Sequence, residues 1–215
     1  MKAALFDLDG VLVDTESQYT VFWRRIGEAF LPEVPDFALR IKGQTLTNIY
    51  NVYFPGQDDL QKEITRRLDA FEQAMEFPFI PGAQTFVAAL RAQGIPTAVV
   101  TSSNRQKMAA LYAAHPGFCD RFDRIFTAED ARRSKPAPDC YLYAAEQLGV
   151  APEECVVFED SRGGLQAGRA SGAKVVALAT SIPPTELKEI SDIVIDDFQE
   201  STPQTFDILF NRTNN

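Results

Sequence analysis

Ala3-Ala4-Leu5-Phe6-Asp7-Leu8-Asp9-Gly10, followed by Val11 and Leu12, sets four apolar residues directly before two carboxylates. Four consecutive apolar residues suit a strand buried on both faces, as in a parallel sheet covered by helices. Asp7 and Asp9 are two apart, so in extended geometry they share a face, and Gly10 permits the turn that holds both near one point. Carboxylates that close repel unless a cation offsets them. A hard divalent ion such as Mg²⁺, which takes oxygen ligands, suits two carboxylates and a backbone carbonyl. The plainer alternative is a strand end whose aspartates cap a turn.

Beyond this stretch, short apolar runs recur at 96–101, 124–127, 155–159, 174–178 and 193–195, with helical patterns at 105–112, 138–148 and 163–171 between them. This alternation predicts an α/β chain, a parallel sheet with helices on both faces. Residues 14–80 hold no convincing strand. There Tyr19, Phe22, Trp23, Ile26 and Phe30 predict a helix from about Glu16 to Phe30 with Thr15 at its N-cap, and Leu60, Ile64, Leu68, Phe71 and Met75 form a second apolar stripe. The expected division is therefore a sheet domain of 1–13 and 82–215 with a helical insertion at 14–81. The end, Asn211 to Asn215, is expected to fray.

The chain of 215 residues is 45% hydrophobic and 24% charged, an ordinary globular balance. Its net charge of −9 argues against a nucleic-acid or anionic-membrane partner, which rewards a basic surface. No apolar stretch approaches the roughly 20 residues of a membrane span, and no basic-then-apolar leader opens the chain, so the cytoplasm is the expected location. Cys119, Cys140 and Cys155 are odd in number and form no CxxC pair, so they read as reduced, mostly buried thiols. Pro116 and Gly117 break any helix that would present His115 and Cys119 as a nucleophilic pair.

Doubly wound sheets bind ligands at the carboxyl ends of their strands, and the polar residues here fall there. The first strand ends in Asp7 and Asp9, the next in Thr101, Ser102 and Ser103, a later one in Glu159, Asp160 and Ser161, while Lys135 precedes the helix before that acidic strand. Thr101 and Ser102, just ahead of a helix that Asn104 caps, offer hydroxyl and backbone donors to phosphate oxygens, and Lys135 adds positive charge. Asp160, Asp7 and the carbonyl of Asp9 complete an oxygen-rich Mg²⁺ site, with Glu159 as a further ligand or an orienting group. Taken singly, the serines read as helix caps and Lys135 as a solvated loop residue.

FDLDGVLVDTE (6–16), VVTSSN (99–104), SKPAPD (134–139) and FEDSRGGLQAGRASGA (158–173) resemble, in order, the four motifs of the haloacid dehalogenase superfamily. The resemblance spans nearly the whole chain, and the helical insertion is similar to the cap of the subgroup of β-phosphoglucomutases and sugar-phosphate phosphatases. It implies a Rossmann-like sheet, a mobile helical cap, Mg²⁺, and a small phosphorylated metabolite as substrate, expected to be a sugar phosphate. Pro81 and Gly82 mark a boundary between helical patterns, so hinges are expected near residues 13–15 and 80–82, and the chain is expected to be a monomer. Asp7 takes the place of the nucleophile that becomes an aspartyl phosphate, and Asp9 that of the proton donor to the leaving oxygen. Thr101 and Lys135 take the phosphoryl-binding places and Asp160 the metal anchor. Cap residues normally select the substrate, which points to Glu16, Lys42, Gly43, Gln44 and Thr45.

The presence of Asp9 favours phosphate-ester chemistry, since dehalogenases and phosphonatases of the superfamily lack an acid there. β-Phosphoglucomutases carry a cap His and an Arg after a KG pair where this chain has Tyr19 and Leu46, which favours hydrolysis over a mutase reaction. A phospho-accepting signalling module also gathers acids, a Thr and a Lys around Mg²⁺. Such modules do not place nucleophile and second acid on one first strand, nor carry so long an insertion.

Overall fold

The computed structural model describes residues 1–41 and 44–210; Lys42 and Gly43 of the expected cap loop, and the tail 211–215, lie outside the described residues. In chain order, β1 (Ala3–Phe6) leads into α1 (Glu16–Phe30), α2 (Phe37–Arg40), α3 (Leu46–Tyr53) and α4 (Asp58–Gln73). Strands and helices then alternate: α5 (Ala83–Ala92), β2 (Thr97–Val100), α6 (Arg105–Ala114), β3 (Arg124–Phe126), α7 (Asp139–Leu148), β4 (Cys155–Glu159), α8 (Arg162–Ser171), β5 (Lys174–Leu178), α9 (Pro184–Leu187) and β6 (Ile193–Ile195). The chain divides into two compact units, Met1–Asp14 with Phe77–Asn215, and Thr15–Glu76. Residues 77–81 stay with the sheet unit because their backbone pairs with 12–14: Asp14 N–H donates to Pro78 O at 2.8 Å and Ile80 N–H to Leu12 O at 2.9 Å.

In the sheet unit the strands run in the order β3-β2-β1-β4-β5-β6, every neighbouring pair parallel. The four apolar residues of β1 are fully buried because the strand lies between β2 and β4 with a packed layer on each face. Side chains alternate between those layers. Ala3 and Leu5 join Val100, Tyr141, Ala144, Val157 and Ala167 on one face. On the other, Phe6 stacks on Phe158 at 4.7 Å and meets Phe86 and Phe198 edge-on. The strand order turns back between β1 and β4, so the carboxyl ends of these adjacent strands flank the crevice where such sheets bind ligands.

The Thr15–Glu76 unit has its own core, in which Phe22, Trp23 and Ile26 of α1 pack with Phe37, Ile49, Phe54, Ile64 and Leu68. Phe22 stacks on Phe71 at 4.9 Å. Met75, the last residue of the expected stripe, lies beyond the end of α4, though it is buried. Thr15 stands at the N-cap of α1 without the expected side-chain bond, because its helix-like backbone, ψ −17°, is not the extended form a capping side chain needs. Cys140 and Cys155 are buried, Cys119 is exposed, and all three are free thiols. No helix among the described residues is long and apolar enough to cross a membrane.

Candidate active site

The residues at the strand ends of the sheet unit converge. Asp7 follows β1 and is held by its N–H to Phe158 O at 3.0 Å, which fixes it beside the end of β4. There Glu159, fully buried, and Asp160 place carboxylate oxygens within 4.8 Å of those of Asp7. Lys135, from the segment between β3 and α7, crosses to this cluster. Its Nζ donates to Asp7 Oδ1 at 2.6 Å, to Glu159 Oε1 at 2.7 Å and to Val100 O at 3.0 Å. One ammonium thus ties the ends of β1, β2 and β4.

Burial in a site of three acids has a cost that shows in the ionisation of Asp7. Desolvation pushes its pKa up to about 7, opposed by the Lys135 charge and reinforced by Glu159 and Asp9. Burial also works against the Lys135 ammonium, but the Asp7 and Glu159 carboxylates outweigh it and hold the lysine well above its ordinary pKa. Glu159 is fixed from every side. Tyr141 donates its hydroxyl to Oε1 at 2.8 Å, and Oε2 accepts from the N–H groups of Asp160 and Ser161 and from Ser161 Oγ at 3.1, 3.2 and 3.1 Å. Ser161 therefore caps α8, accepting Gly164 N–H at 3.0 Å, and also orients an acid. A Cβ at Gly164 would overlap the Glu159 carboxylate, so only glycine lets α8 start this close.

Asp160 is anchored by Ser181 Oγ on its Oδ2, while Thr180 Oγ1 donates to Gly10 O at 2.6 Å. A Cβ at Gly10 would overlap Asp160 Oδ2, and φ at Gly10 is 72°, so glycine here is needed for both conformation and close approach. The oxygen donors of Asp7, Glu159 and Asp160, brought together around a loop that only glycine can close, fit a hard divalent cation.

Asp9, two residues on from Asp7, sits in a different setting. Its Oδ2 accepts from Ser103 Oγ at 2.8 Å and its Oδ1 from Lys107 Nζ at 2.7 Å. Thr101 is buried after β2, its Oγ1 accepting Ser103 N–H at 3.0 Å, and Asn104 caps α6 by accepting Lys107 N–H at 2.9 Å. Of the two serines, Ser102 is exposed and Ser103 is the buried one that meets a carboxylate. Lys107, Tyr141, Thr180 and Ser181 are thus site residues that motif spacing alone passes over, while Ser103 lies within a motif whose expected phosphate donor is Ser102. A signal for Lys107 exists: a lysine in the first turn of a helix opposes the helix dipole and calls for a local reason.

In the helical unit, Glu16 opens α1 and its carbonyl accepts Thr20 Oγ1 at 2.8 Å. Thr45 is the N-cap of α3, accepting Asn48 N–H at 3.2 Å, and Gln44 bonds Arg40 O and the Asn48 side chain, each at 2.8 Å. Tyr19 donates its hydroxyl to Glu72 Oε1 at 2.7 Å, and Leu46 packs against this unit's core.

A family model described as haloacid dehalogenase-like hydrolase matches residues 1–172. The chain is 34% identical over 215 residues to hexitol phosphatase A of Escherichia coli (strain K12), covering 94% of this chain and 93% of that protein. It is 31% identical over 212 residues to the beta-phosphoglucomutase of Mycobacterium tuberculosis (strain CDC 1551 / Oshkosh), covering 82% of this chain and 80% of that protein. Among solved structures, a family IA, variant 3 HAD hydrolase from Entamoeba histolytica superposes with a TM-score of 0.82 at 24% identity, over 98% of this chain and 100% of that one, a likeness of fold.

Proposed function

The chain belongs to the haloacid dehalogenase-like hydrolases, and from that premise we propose that it is a Mg²⁺-dependent phosphatase of a small phosphorylated metabolite, a sugar or sugar-alcohol phosphate, working through an aspartyl phosphate on Asp7. The observation that carries the reading is the Lys135 ammonium 2.6 Å from Asp7 Oδ1 inside a cluster of three acids. Asp7, Asp160 and the main-chain carbonyl of Asp9 would hold the Mg²⁺, with Glu159 beside them, and the bound ion supplies positive charge to the phosphoryl group. Burial raises the Asp7 pKa, and a bound cation would oppose that rise and favour the carboxylate that attacks.

In the first step an Asp7 oxygen bonds to phosphorus while the bond from phosphorus to the ester oxygen breaks. The electron pair leaves with that oxygen, which takes a proton from Asp9. Thr101 and Lys135 hold the phosphoryl oxygens, whose charge in flight rewards fixed donors. Water then attacks phosphorus and gives its proton to the Asp9 carboxylate. The bond from Asp7 to phosphorus breaks, and inorganic phosphate leaves with both carboxyl groups restored. Substrate choice belongs to the Thr15–Glu76 unit.

The second reading is a phosphosugar mutase, which the 31% identity to a beta-phosphoglucomutase favours. Against it, Tyr19 is bonded to Glu72 and Leu46 is apolar and packed, so neither replaces a cationic ligand for a distal phosphate. The test is a screen of phosphorylated metabolites for phosphate release, with Mg²⁺ and with chelator. Release that chelator abolishes is expected. With β-glucose 1-phosphate and a bisphosphate primer, fast glucose 6-phosphate formation with little free phosphate would replace this reading by the mutase.

A further inference from the structure

Lys107 has no part in the chemistry described above, yet it is placed with care. Its side chain is 5% exposed, in the first turn of α6 where the helix dipole disfavours a cation. Lysines are almost never so buried unless paired. The pairing here is specific. Lys107 Nζ takes one oxygen of Asp9 at 2.7 Å and Ser103 Oγ takes the other at 2.8 Å. Both donors stand on braced backbone: Ser103 N–H bonds Thr101 Oγ1, Ser103 O accepts Ala128 N–H at 3.1 Å, and Asn104 ties down the turn that carries Lys107.

We propose that Lys107, together with Ser103, is a positioning residue for Asp9, fixing the plane of its carboxyl so that the proton is delivered to the ester oxygen. The proposal rests on the reading of Asp9 as the proton donor. Proton transfer needs the donor within hydrogen-bond reach and in line with the leaving oxygen. A side chain held at only one oxygen can still turn about its last bond; one gripped at both cannot. A charge-assisted bond is roughly twice as strong as a neutral one, so the lysine supplies more of the grip than the serine.

An acid that protonates the leaving oxygen matters most when that oxygen is a poor leaving group. The experiment measures kcat/KM, which runs from free enzyme and substrate through transfer to Asp7 and excludes hydrolysis of the intermediate, for aryl phosphates running from p-nitrophenyl to unsubstituted phenyl phosphate. Lys107→Met is expected to slow phenyl phosphate about tenfold or more while p-nitrophenyl phosphate falls less than about threefold. Lys107→Arg restores most of the loss, and in an Asp9→Asn background Lys107→Met has no further selective effect. Should Lys107→Met fail to fold, Ser103→Ala carries the same test and the same expectation in weaker form. A uniform fall along the series, or none, would overturn the proposal while leaving the phosphatase reading intact. A wild-type protein inactive on every ester sinks that reading, and the proposal with it.

Discussion

Asp7 and Tyr141 show how the site divides between chemistry and support. Asp7→Asn preserves shape and burial but cannot attack phosphorus, so turnover should fall at least about 10³-fold with the circular dichroism spectrum unchanged. Wild-type turnover in that variant would refute the nucleophile. Tyr141 is fully buried and supports the site through its hydroxyl on Glu159 and its ring, whose centroid lies 4.9 Å from Lys135 Nζ. Tyr141→Phe should lower stability by about 1–3 kcal/mol in denaturant unfolding, the cost of a lost bond to a buried charged acceptor, with a smaller loss of kcat than Asp7→Asn. Residues of the first kind are legible in a sequence because acids set directly after a buried apolar run are costly to fold unless a cation offsets them. Those of the second kind are not. Ser102 and Ser103 are chemically identical neighbours, and only the backbone after β2 decides that Ser103 turns inward. Lys107 in the first turn of a helix signals a local reason, but spacing does not identify the partner it answers to, 98 positions away.

At the scale of elements, the site depends on how closely α8 approaches β4. Gly164→Ala would set a methyl carbon against Glu159 Oε1, so either the helix retreats or the glutamate leaves Lys135 and Tyr141. The expected result is a loss of about 1–3 kcal/mol, the range of overpacked cores, accompanied by a fall in kcat. A variant with unchanged melting temperature and kcat would mean that the contact is not constraining. The helices and strands themselves are readable from periodicity, which is why β1, β4, β5 and α1 fall where apolar spacing puts them. What periodicity misses is the behaviour of ends. Met75 continues the α4 stripe by spacing but falls outside the helix, and Thr15 has the right chemistry for a cap on the wrong backbone.

For the whole molecule, alternation predicts a parallel sheet, and the reversal of strand order between β1 and β4 then explains why residues as distant as Asp7 and Asp160 share one crevice, which Lys135 reaches from the segment after β3. Strand order itself is not in the apolar pattern, because alternation counts strands without ranking them. The bridge between Val13 and Phe79 carries a different consequence. The two chain crossings that enclose the helical unit run antiparallel side by side, Cα atoms roughly 5 Å apart as in any such pair. To the sheet unit the whole of Thr15–Glu76 is therefore equivalent to a hairpin turn. Replacing residues 15–77 with Asn-Gly, a two-residue turn that joins Asp14 to Pro78 and keeps Val13 opposite Phe79, should leave a chain that still unfolds cooperatively and keeps the sheet's spectrum. Loss of folding would show that the insertion is not separable. If the shortened chain folds, this junction is a socket. Inserts of any length whose ends lie adjacent can be exchanged there, and specificity can be inherited by transplant without renegotiating a single strand.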